Sequence, residues 1–144
     1  MDWKDKKVLV FGSGKSGTGA CELLIKEGAR PVIYDGNGEL SKQEILNKLS
    51  EPQRAEVVLG EFQEEMIREL SLVIMSPGVP CDLPVVRKFK ESGLPVWGEI
   101  ELAYRLGKGK VLAVTGTNGK TTTTALLGQI MRDYCPEVYV VGNI

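Results

Sequence analysis

Residues 115–122, Thr-Gly-Thr-Asn-Gly-Lys-Thr-Thr, have the residue types and order that hold a nucleoside triphosphate. Gly116 and Gly119 let backbone N–H groups approach phosphate oxygens, and a helix opening at Lys120 adds the positive end of its dipole. Lys120 can reach the β and γ phosphates of ATP, and the hydroxyl of Thr121 is the candidate Mg²⁺ ligand. Gly116, Thr117, Asn118, Gly119, Lys120, Thr121 and Thr122 form the candidate ATP site, with Lys120 and Thr121 as candidate catalytic residues. The loop is one residue shorter than the usual pattern, because Val114 stands where the first glycine ordinarily falls.

A second glycine loop lies near the start of the chain. Gly12-Ser-Gly-Lys-Ser-Gly17 fits G-x-G-x-x-G, and Asp35 follows about 20 residues on, as the dinucleotide fingerprint requires. Such a loop cradles a pyrophosphate while the carboxylate meets a ribose hydroxyl, and a nucleotide-sugar carries a pyrophosphate as a dinucleotide does. The same glycines would also serve a tight strand-to-helix turn with no ligand, and Asp35 would then merely end a strand. Ser76-Pro-Gly-Val-Pro80 adds a rigid turn whose exposed N–H groups suit a phosphate or a base, or serve only as a turn. Glu99 and Glu101 straddle a helix start, where carboxylates favour the dipole.

Position in the chain decides whether these groups can meet. Lys7 to Phe11 reads as a strand, 16–27 as a helix stopped by Gly28, and Pro31 to Tyr34 as a second strand. A helix from Ser41 carries Ile45, Leu46 and Leu49, and 55–59 is a short third strand. A short helix near 64–70, a fourth strand at 72–75, a helix over 84–92 and a fifth strand at 95–97 follow. Alternation of this kind predicts a parallel sheet covered on both faces, a Rossmann-like α/β fold with both loops of the first half at its carboxyl edge. A helix over 98–106 leads to Gly107-Lys-Gly-Lys110, the expected boundary between a domain over 1–107 and a second over 108–144. In the second, Val111 to Val114 reads as a buried strand, the P-loop opens a helix bearing Leu126, Leu127, Ile130, Met131 and Tyr134, and Val138 to Val141 is a last strand. One such βαβ unit cannot close a core of its own, so the chain is expected to be the front part of a longer protein.

The bulk properties exclude several classes. The chain has 144 residues, a formal net charge of −1 and no histidine. That charge gives no electrostatic case for nucleic acid or a membrane surface. Cys21, Cys81 and Cys135 are odd in number and form no CxxC pair, against a disulfide framework or a zinc site. No run is long enough to span a bilayer, and the start lacks a signal peptide, so a cytoplasmic location is expected.

Taken together, the stretches 10–17, 34–35, 76–80, 98–102, 114–122 and 142–144 stand in the order found in the Mur ligases of bacterial cell-wall synthesis, which this chain resembles. The Gly-Glu-Ile-Glu-Leu102 string after the Ser-Pro-Gly turn is most similar to the D-glutamate-adding branch. The resemblance implies an ATP- and Mg²⁺-dependent ligase that joins D-glutamate to UDP-N-acetylmuramoyl-L-alanine through an acyl phosphate. It implies that Gly14, Lys15 and Ser16 lie on the pyrophosphate, Asp35 near the uracil or ribose, and Ser76, Pro77 and Gly78 beside them. Asn143 matches a family residue near the substrate. Residues the family uses downstream are not in this chain, so the chain alone is expected to lack ligase activity. Two other readings stay open: an NAD-binding Rossmann oxidoreductase resting on the fingerprint and Asp35, and a noncatalytic nucleotide-binding module.

Overall fold

A computed structural model describes residues 2–142. The chain divides into two compact units, Met1–Gly107 and Lys108–Ile144.

The first unit is built on five strands: β1 (Lys7–Phe11), β2 (Arg30–Asp35), β3 (Glu56–Leu59), β4 (Leu72–Met75) and β5 (Val96–Gly98). They lie in the order β3-β2-β1-β4-β5, and every neighbouring pair is parallel. Strands of such a sheet read as continuous apolar runs because helices cover both faces. The alternation of side chains is nonetheless visible in where they go. Val8 and Val10 of β1 join Ile33, Ile74 and Leu24 in one core, while Leu9 and Phe11 join Val32, Val73 and Phe89 in the other. Helices α1 (Lys15–Lys26), α2 (Lys42–Leu46) and α4 (Glu99–Leu106) contribute to the first core. Helix α3 (Pro84–Glu91) and a 3₁₀ segment (Glu64–Glu69) contribute to the second.

The chain steps outward from β1 to β2 and β3, then returns to β4 on the other side of β1. The direction of winding reverses there, and the carboxyl ends of β1 and β4 part to leave a crevice. Both loops of the first half that carry candidate site residues open onto that edge.

Two elements of this unit differ from expectation. The helix after Ser41 ends at Leu46, so Leu49 is buried in the turn that follows. The cause is a tertiary contact: the Ser50 N–H and hydroxyl both donate to the Glu22 carboxylate on α1, at 2.5 and 2.7 Å, which draws the chain off the helical path. The segment over 64–69 is 3₁₀ and not α-helical.

Among the described residues the second unit holds one helix, α5 (Lys120–Tyr134). The strands expected over 111–114 and 138–141 are absent among the described residues. A strand is defined by its ladder, and neither run has a hydrogen-bonded neighbour to supply one. Val111 and Leu112 are each 60% exposed and Tyr139 is 81% exposed, where the apolar pattern predicts burial. On α5 itself, Leu126, Ile130 and Tyr134 are exposed, whereas Gly128 is buried against Val140.

Candidate functional site

The first loop begins at Gly12, whose φ of 110° is open to glycine at little cost. Its N–H donates to the Tyr34 carbonyl at 2.8 Å, which continues the β1–β2 ladder by one step. Gly17 is fixed by lack of space: a Cβ there would fall inside contact distance of the Gly12 carbonyl oxygen. The loop therefore folds tightly back on itself before α1. Gly14 is the N-cap of that helix and offers no side-chain acceptor to the first turn, which also contains no acidic residue. The first N–H groups of α1 are thus left for an anion, with Lys15 and Ser16 exposed beside them.

Asp35 ends β2 and closes on this loop. Its Oδ2 accepts from the Ser13 N–H at 3.0 Å and the Ser13 hydroxyl at 2.6 Å, and its Oδ1 accepts from the Asn37 N–H at 3.1 Å. Burial alone would raise the Asp35 carboxyl, but the hydrogen bonds from Ser13 and Asn37 outweigh it and hold the group below its usual range. Asp35 is therefore an ionised brace for the loop, and the loop's own Ser13 is its partner.

Ser76 is the first residue after β4. It is buried, and its hydroxyl donates to Glu99 Oε1 at 2.8 Å. Pro77 and Gly78 follow in an exposed turn closed by the Val79 N–H on the Ser76 carbonyl at 3.0 Å. Gly78 and Val79 form one wall of a cleft of about 570 Å³, a volume suited to a small ligand. Phe11, Tyr34, Gly36 and Phe62 also line it. Tyr34 lies tilted against Phe11 with ring centres 4.7 Å apart and meets Phe62 edge to face at 5.1 Å, which gives the cleft an aromatic floor. The Tyr34 hydroxyl donates to the Gly60 carbonyl at 3.0 Å. Burial, with the nearby charges of Asp35 and Glu61, pushes that phenol upward, so it stays neutral at physiological pH.

The second loop is described within its own unit. Gly116 has φ 151° and Gly119 φ 75°, and Gly119 is the N-cap of α5 with no side-chain acceptor. Lys120 curls over this loop, its Nζ donating to the Gly116 carbonyl at 2.6 Å and the Thr117 carbonyl at 3.4 Å. Thr117, Asn118, Thr121 and Thr122 are exposed around it. Backbone N–H groups, an ammonium and hydroxyls at one helix start fit the phosphates of ATP, and Thr121 fits a Mg²⁺ ion that such phosphates carry. Among the described residues there is no cluster of His, Cys, Asp or Glu able to hold a metal by itself.

The structure thus gathers Gly14, Lys15, Ser16, Asp35, Ser76, Pro77 and Gly78 along one sheet edge. Gly116 to Thr122 lie together in the other unit, and Asn143 lies outside the described residues. Sequence reasoning missed Ser13 as the partner of Asp35, Glu99 as the partner of Ser76, and Phe62 and Val79 in the cleft. Ser13 had a signal, being the residue between the first two fingerprint glycines. The cleft residues had none, because three separate loops have to fold before they meet.

Residues 6–98, more than half of the chain, match the family model for the Mur ligase MurD-like N-terminal domain. The chain belongs to this family. Over its whole length it is 54% identical to UDP-N-acetylmuramoylalanine--D-glutamate ligase of Lachnospira eligens, and it spans 32% of that relative. Among solved structures it is similar to a pseudomurein peptide ligase type C from Methanothermus fervidus, with TM-score 0.57 and 23% identity over 90% of this chain and 26% of that one. It is also similar to a 3-hydroxyacyl-CoA dehydrogenase from Archaeoglobus fulgidus, with TM-score 0.56 and 16% identity over 93% of this chain and 65% of that one. These two likenesses concern the fold alone. No described helix of this MurD-like chain is long and apolar enough to cross a membrane.

Proposed function

We propose that the protein to which this chain belongs is an ATP-dependent ligase of peptidoglycan precursor synthesis that adds D-glutamate to UDP-N-acetylmuramoyl-L-alanine. The observation that carries this reading is the match of the MurD-like family model to the unit containing the Gly12–Gly17 loop, together with 54% identity to a ligase of that name. The chain spans about a third of that relative, so the activity belongs to the whole protein and the binding steps to this chain.

In this reading the first unit holds the uridine end of the substrate. The diphosphate rests on the uncapped N–H groups of α1, with Lys15 and Ser16 alongside. The uracil lies over the aromatic floor of the cleft, past Gly36 and Gly78. Asp35, already engaged by Ser13 and Asn37, serves by holding the loop in shape. Its free lone pairs remain able to take a ribose hydroxyl.

The second unit holds ATP through Gly116 to Thr122 as the start of a P-loop domain. ATP with Mg²⁺ supplies the phosphoryl group that activates the substrate carboxylate as an acyl phosphate, which the amine of D-glutamate then attacks. Lys120, released from the loop carbonyls, would offset charge on the phosphates, a positioning and electrostatic role. Thr121 would ligate the metal. By itself the chain is expected to bind these nucleotides and to release no phosphate when given ATP and both substrates.

Calorimetric titration of the chain tests the reading. UDP and a UDP-sugar should bind with one site each, and Gly14→Asp, which places a carboxylate at the anion cradle, should abolish both. NADH binding well above UDP would overturn the assignment in favour of a dinucleotide enzyme.

A further inference from the structure

The Gly98-Glu-Ile-Glu-Leu102 string has no role in the binding scheme above, yet its first glutamate makes one of the few long-range side-chain contacts at the sheet edge. Parallel register explains how. The last pair between β4 and β5 is Met75 with Gly98, so the next residues on the two strands, Ser76 and Glu99, emerge side by side. Glu99 is also the first residue of α4, where the helix dipole favours a carboxylate. From that position its Oε1 accepts the Ser76 hydroxyl proton at 2.8 Å. A hydroxyl donating to a carboxylate is among the stronger hydrogen bonds of a protein.

Ser76 in turn is the surface on which the glycine loop rests. A Cβ on Gly12 would meet Ser76 Cβ at 2.9 Å and Oγ at 3.0 Å, and one on Gly17 would meet the same Oγ at 3.2 Å. Both constrained glycines of the fingerprint therefore pack against one side chain. A serine has three staggered positions for its hydroxyl. The loop passes so close that a methyl group on either glycine would come within 3.0–3.2 Å of this Oγ, so the rotamer Ser76 adopts decides whether the loop keeps its shape.

We propose that Glu99 is a positioning residue for diphosphate binding: by taking the Ser76 proton it locks the side chain that supports the Gly12–Gly17 loop. The inference rests on the uridine-diphosphate reading of that loop. It also gives Ser76 a different part from a phosphate donor, since its single proton is committed to Glu99. The carboxylate's own charge opposes a bound anion, so positioning and repulsion predict opposite signs, and the experiment separates them.

The test is titration of UDP and of uridine against the chain and its Glu99→Ala and Glu99→Gln variants, with thermal melts alongside. Glu99→Ala should weaken UDP about fivefold, the factor an ordinary hydrogen bond is worth, and leave uridine unchanged. Glu99→Gln keeps an oxygen able to accept the Ser76 proton and should restore UDP affinity to the parent value or better. Ser76→Ala should weaken UDP similarly, and the double variant should be no worse than either single one. Unchanged or tighter UDP binding by Glu99→Ala would overturn the proposal, as would an equal loss for uridine. If the parent chain bound NADH in place of UDP, the uridine reading would fail while the same variants tested Glu99 with NADH. Binding of neither would overturn both.

Discussion

Asp35 shows how one side chain can be read correctly as important and incompletely as to why. Its spacing from the glycine loop is legible as a fingerprint, and that spacing suggests a ribose partner. In the structure its oxygens also hold Ser13 and Asn37, a brace that no spacing rule encodes. Removing it should destabilise the first unit. Asp35→Ala is expected to cost about 1.5–3 kcal/mol at neutral pH, the net worth of a hydrogen bond to an ionised group, measured by urea denaturation. The pH dependence has a definite sign. Because folding lowers this carboxyl below its ordinary 3.8, its contribution is fully present above that value and is lost as pH falls through the folded one. The stability gap between parent and variant should therefore close on acidification below about pH 4. Cys21 illustrates the opposite case. Burial first, and then the charge of Glu22, push its thiol up to about 12, so it stays protonated and unreactive at neutral pH.

At the level of elements, the strand–loop–helix from β1 to α1 was legible almost to the residue, because an apolar run, clustered glycines and a helical repeat all agree there. The second and third glycines of the loop nevertheless differ in a way the sequence does not show. Gly17 has no room for a methyl group, while nothing lies within 4 Å of a Cβ placed on Gly14. Gly17→Ala should destabilise by about 1–3 kcal/mol through overpacking and disturb UDP binding. Gly14→Ala, with φ −69° at that position, should unfold within about 0.5 kcal/mol of the parent. Denaturant midpoints for the two variants check this directly. Where the signals were weaker, elements shifted: α2 stops early because Glu22 captures Ser50, an interaction between residues far apart in sequence. The runs over 111–114 and 138–141 have strand composition but no ladder, which shows that apolar periodicity specifies a tendency to pair and not the pairing itself.

For the whole molecule, the parallel sheet and its cover on both faces followed from the alternation of strands and helices, whereas the strand order β3-β2-β1-β4-β5 and the cleft did not. All five strands, both cores and the cleft lie within Met1–Gly107. A chain ended at Gly107 is therefore expected to fold cooperatively and to bind UDP as the longer chain does, with ATP binding lost. Circular-dichroism melts and the same titrations check it. The placement of β1 has a further consequence for biosynthesis. This strand leaves the ribosome before the other four, yet it ends up in the middle of the sheet, flanked by β2 and by β4. Val8 finds its partner Pro31 soon, but Leu72 is translated much later. Through that interval a nascent half-sheet of β3, β2 and β1 would present an open edge of unpaired N–H and C=O groups flanked by apolar side chains, so chaperone cover of that edge would govern the yield of soluble product.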